Sequence, residues 1–149
     1  MFEDIGLPPL NPETAKFLQA PRRMLIDGKW VAAQSGETID VINPANEEVC
    51  GRIALGSAKD VDRAVAAARK AFETFSQTTR DERIKLISRV LEIYKRREQD
   101  IADAMTLEMG APRNFSLEGQ TGSGTAHLEA IIDVLKTYEF ERLQGTTLV

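Results

Sequence analysis

The chain holds one cysteine and one histidine among its 149 residues, and each scarcity removes a class of function. A single thiol, Cys50, excludes an internal disulfide and suits a reducing compartment. With His127 as the sole imidazole, no second cysteine and no His-x-x-x-His, the usual zinc ligand sets cannot be assembled. Positive charge is also short. The 19 Lys and Arg against 23 Asp and Glu leave a net charge of −4, which argues against a nucleic-acid surface. No apolar run approaches a membrane span, so no membrane partner is expected. The opening, MFEDIGLPPLNPETAK, has acidic residues and four prolines or glycines, unlike a secretory signal; the expected location is cytoplasmic.

What is present reads as a globular protein, 42% apolar and 28% charged. Its organising stretch runs from Thr78 to Pro112. Ile84, Ile87, Leu91, Tyr94, Ile101 and Met105 keep the rhythm of one buried helix face, and Leu86, Val90 and Ile93 widen it. Thr79 and Glu82 form a capping box, Asp81 adds charge suited to a helix start, and Gly110 with Pro112 provides the stop. The expectation is one helix over 80–109, on the order of 45 Å long. Such a helix needs a large body to lie against.

Residues 1–23 read as an extended arm, interrupted by Pro8, Pro9, Pro12 and Pro21, with one short helical turn over 12–20. Between 24 and 54 the period becomes two. Met24-Leu25-Ile26 and Lys29-Trp30-Val31 flank an Asp27-Gly28 turn, and Thr38–Ile42 and 48–54 supply two further strands. Together they predict a small antiparallel sheet. Ser57 and Asp60 form a second capping box, opening a helix over 58–76 with Val61, Ala64, Val65, Ala68, Phe72 and Phe75 in step. This helix is expected to pack antiparallel on its successor. A third helix is expected over 125–140, with Leu128, Ile131, Ile132, Leu135 and Tyr138 inward, and Thr146 to Val149 opens a strand.

No complete active site can be built from these residues. Gly119-Gln120-Thr121-Gly122-Ser123-Gly124 lacks the Lys-Ser/Thr of a phosphate loop and the preceding strand of a dinucleotide fingerprint, so residues 113–124 read as a connector. Cys50, on a strand, is a packed small residue unless His127 comes beside it to activate the thiol. Asp103 and Glu108 read as solvated helix positions. Lys95-Arg96-Arg97, balanced by Glu92, Glu98 and Asp100, reads as i,i+4 pairing along the long helix.

The order of segments resembles the N-terminal region of the NAD(P)-dependent aldehyde dehydrogenase superfamily. The resemblance rests on Leu25-Ile26-Asp27-Gly28-Lys29-Trp30-Val31, Val41-Ile42-Asn43-Pro44-Ala45, the alanine-rich helix from Asp60 to Phe75, and Thr79 to Arg83. Leu107-Glu108-Met109-Gly110-Ala111-Pro112 and Glu139-Phe140 leading into Leu143-Gln144-Gly145-Thr146 continue it, so it covers residues 24–149. It implies an α/β family in which this chain is mostly α-helical with a small antiparallel β-sheet: the N-terminal part of the cofactor-binding domain without its Rossmann sheet. It implies that the parent enzyme oxidises an aldehyde to a carboxylic acid with NAD⁺ or NADP⁺, through a cysteine thiohemiacetal. The family's thiol, general-base glutamate, oxyanion-stabilising asparagine and dinucleotide cradle would all lie beyond Val149. Phe115 to Gln120 mimics the approach to that thiol, but the nucleophile's position is held by Gly122. The third helix, by the same resemblance, provides one wall of the aldehyde channel through Ala126 and Ala130; alanines chosen for close helix packing are the plainer reading. The chain alone is expected to be a catalytically silent piece, associating with itself or with the missing remainder of the enzyme. The competing expectation is a free-standing helical interaction module.

Overall fold

The computed structural model describes residues 23–141 and 143–148, together with Pro12 and Lys16. The expected arm over 1–23 lies almost wholly outside the described residues. Strands β1 (Met24–Ile26) and β2 (Lys29–Val31) form a hairpin with Leu25 opposite Trp30. Its two turn residues, Asp27 at φ 53° and Gly28 at φ 71°, adopt the doubly left-handed turn that matches strand twist. Strands β3 (Thr38–Ile42) and β4 (Val49–Ala54) form a second antiparallel ribbon with an irregularity between Val41 and Ile42. Between them Asn43 is buried, and its side-chain oxygen accepts the Ala45 N–H at 2.9 Å. A third ribbon pairs β5 (Leu143–Gln144) with β6 (Thr147–Leu148). The single sheet expected over 24–54 is therefore two separate ribbons among the described residues.

Most of the body is helical. Helix α1 (Ala58–Phe75) starts at the Ser57/Asp60 capping box, and α2 (Arg80–Arg96) at the Thr79/Glu82 box; both form in full. The single helix expected over 80–109 is broken at Arg97, whose φ of −110° and ψ of 15° end α2 and begin α3 (Glu98–Met109). Lys95 and Arg96 occupy the last turn of α2, and Glu98 and Asp100 the first turn of α3. Each helix thus carries the charge its own dipole favours. The basic run read as pairing along one helix marks a boundary between two.

Gly110, at φ 70°, ends α3 in the left-handed conformation, as its place before Pro112 implied. A Cβ there would come 2.7 Å from Pro44 Cγ, so the glycine also admits the turn after β3. Residues 113–124 are not a flexible connector. They hold a π-helical segment, Phe115–Thr121, running directly into α4 (Gly122–Thr137). The wide turn persists because the buried Thr121 hydroxyl serves its carbonyls, donating to Leu117 O and Ser116 O, while the buried Ser116 hydroxyl accepts from Thr106 Oγ1 at 3.0 Å.

Helix α2 packs on α4, while α3 packs on the π-helical segment. The antiparallel packing of α1 on α2 expected from their short link is not the main contact of either; α1 touches the first hairpin instead. Ala102 and Leu107 of α3, Ile132 of α4, and Ser116 and Thr121 form the buried centre. Large apolar residues remain outside it. Val61, Val65, Phe72 and Phe75 of α1 and Leu86 and Val90 of α2 are exposed, Phe72 by 67%.

Candidate functional site

Ala126 and Ala130 lie one turn apart on the exposed side of α4. Val134, a further turn on, and Ile131 beside it are 58% and 54% exposed. The opposite side of α4 carries buried Ile132 and half-buried Leu128 and Leu135. The two small side chains share this open side with Ile131 and Val134 and with the exposed polar residues Ser123 and His127.

That face is aimed by contacts at both ends of the helix. Near its start the Tyr94 hydroxyl donates to Thr121 O at 3.1 Å, and Thr125 Oγ1 donates to Glu98 Oε1 at 3.2 Å. At mid-length Lys95 pairs with Glu129. At its end the Arg80 guanidinium donates to Tyr138 O at 2.6 Å and Lys136 O at 3.3 Å, with its Cζ 5.4 Å from the Phe140 ring centre. These carbonyls are among those a helix leaves without internal partners, and Arg80 reaches them across 56 to 58 residues of sequence.

The other candidates separate. The Cys50 thiol donates to the carbonyl oxygens of Val41 at 3.3 Å and Leu107 at 3.7 Å, so it faces α3, whereas His127 is exposed on α4. Asp103 is buried rather than solvated; it accepts from Gln99 at 2.8 Å and lies 3.7 Å from Arg113 Nε. No group of three or more metal-ligating side chains occurs among the described residues. Gly119 to Gly124 offers no anion cradle, because the N–H of Gly122 already bonds within the helix to Gly119 O and Leu117 O. An open groove of ≈ 430 Å³ between the first hairpin and α1 is lined by Asp27, Lys29, Arg63 and Lys70, all exposed, so its charges are solvated rather than directed at a ligand.

The least expected polar centre is Asp60. Its carboxylate is 1% exposed and accepts from Ser57 N at 3.0 Å, Ser57 Oγ at 2.9 Å and Gln34 N at 3.1 Å. The backbone N–H of Ser57, then that of Gln34, hold it below the usual carboxylate range against the opposing effect of burial. The capping box was legible in the sequence; the bond from Gln34, which ties the loop after β2 to α1, had no local signal. The role of Asp60 is structural.

The comparisons with known proteins fit this arrangement of elements. The family model of the aldehyde dehydrogenase family matches residues 30–148. A Staphylococcus aureus protein named for the same activity is 43% identical over 127 residues, which are 85% of this chain and 27% of that protein. The aldehyde dehydrogenase of Bartonella henselae superposes with a TM-score of 0.83 at 36% identity, over 86% of this chain and 27% of that one. A mutant of aldehyde dehydrogenase C from Pseudomonas syringae, in complex with NAD⁺ and octanal, superposes with a TM-score of 0.82 at 39% identity, over 95% and 28%. The chain belongs to the aldehyde dehydrogenase family and has the fold of part of its N-terminal region. It spans about a quarter of the length of these relatives.

Proposed function

We propose that this chain is the N-terminal part of an enzyme that oxidises an aldehyde to a carboxylic acid with NAD⁺ or NADP⁺ through a cysteine thiohemiacetal, and that the chain alone is catalytically silent. The observation that carries the reading is the exposed apolar surface of α1 and α2, on a chain that matches only 27% of its relatives' length. Surface of this kind stays in water only at a cost unless another body covers it. In this reading the cover is the remainder of the dehydrogenase, which also supplies the nucleophile, the base and the cofactor cradle that the described residues lack. The NAD⁺ and octanal held by the Pseudomonas syringae relative support the cofactor and substrate class. Ala126 and Ala130 form one wall of the aldehyde channel in the assembled enzyme. Its place of work is the cytoplasm; no helix among the described residues is long and apolar enough to cross a membrane.

Two experiments test this reading. The intact mass of the protein from its natural source should be several-fold above the 16.5 kDa of this chain. A mass near 16.5 kDa would instead favour the competing interaction module, whose partner would then be sought on the same apolar surface. Separately, the 149-residue chain should form no NADH or NADPH from a panel of aldehydes. A full-length relative carrying residues 24–149 in place of its own N-terminal part should do so. In that chimaera Ala126→Trp should depress turnover of bulky aldehydes far more than of acetaldehyde. Equal loss for all substrates would remove Ala126 from the channel.

A further inference from the structure

We draw no further inference here: the strongest candidate, the exposed apolar stripe of Val61, Val65, Phe72 and Phe75 along α1, is the surface already assigned to the remainder of the enzyme, and nothing in the structure shows what else covers it.

Discussion

Tyr94 on α2 donates its hydroxyl to the carbonyl oxygen of Thr121, 3.1 Å away, at the junction of the π-helical segment and α4. Gly124 completes the contact, since a Cβ there would collide with that hydroxyl and lie 2.7 Å from Cζ of the ring. Tyr94→Phe should cost about 1 kcal/mol, the usual net worth of one hydrogen bond. Gly124→Ala should cost about 1–3 kcal/mol from overpacking, although alanine is the better helix former. In a Tyr94→Leu background the Gly124→Ala cost should shrink or reverse. Urea unfolding of the four variants reads this coupling; strictly additive effects would mean that the two residues do not share the space.

The same tyrosine should contribute to the loss of stability at alkaline pH. Burial, and secondarily the charge of Glu98, raise the Tyr94 value above its ordinary 10.0. The neutral hydroxyl is therefore the favoured folded form. Its stabilising effect is complete below the unfolded value and fades as pH rises through the folded one. Tyr94→Phe should flatten the alkaline loss of stability. An unchanged alkaline limb in that variant would assign the loss to other groups.

On the acid side the two capping boxes act in the opposite sense. Asp60 is lowered chiefly by the Ser57 N–H, and Glu82 by the Thr79 N–H and then its hydroxyl. A carboxylate lowered by folding stabilises above its unfolded value, about 4, and that contribution disappears as pH falls through the folded value. Asp60→Asn should lower stability at neutral pH and shallow the decline as pH falls below the unfolded carboxylate value. Ser57→Ala, which removes both hydroxyl bonds to Asp60, should cost about 1–2 kcal/mol. A pH profile of Asp60→Asn parallel to that of the parent chain would overturn the assignment.

Arg80 holds the far end of α4. Arg80→Ala should speed hydrogen exchange in the last turn of α4 and cost about 1 kcal/mol. Arg80→Lys should recover little of this, because one ammonium cannot reproduce a planar fork spanning two carbonyl oxygens and an aromatic ring. Full recovery by lysine would reduce the contact to simple charge.

The exposed surface of α1 predicts concentration-dependent association of the isolated chain. Light scattering should show it, and Val65→Glu with Phe72→Lys should diminish it while leaving the helical circular-dichroism signal in place. A monodisperse, cooperatively melting monomer of the parent chain would count against the need for a covering body.

Local chemistry was legible where neighbours in sequence are also neighbours in space. The Asp27-Gly28 turn, both capping boxes and the Gly110 stop each depend on residues a few positions apart, and each forms where the pattern places it. The break at Arg97 was also written locally, as basic residues followed by acidic ones, but the apolar rhythm running through both helices concealed it. The π-helical segment was not legible, because its glycines and hydroxyls read as loop chemistry until Thr106, Ser116 and Thr121 are seen to meet in the buried centre. For the same reason the choice of α4 rather than α1 as the partner of α2 could not be read from a short link. Sequence alone determined the strands of both hairpins, the capping boxes, the Gly110 stop and the family, since these rest on short-range geometry and an ordered series of motifs. Only the tertiary structure decided which helix faces meet, which way Ala126 and Ala130 point and how much apolar surface stays open, because those depend on contacts between residues 27 to 58 positions apart.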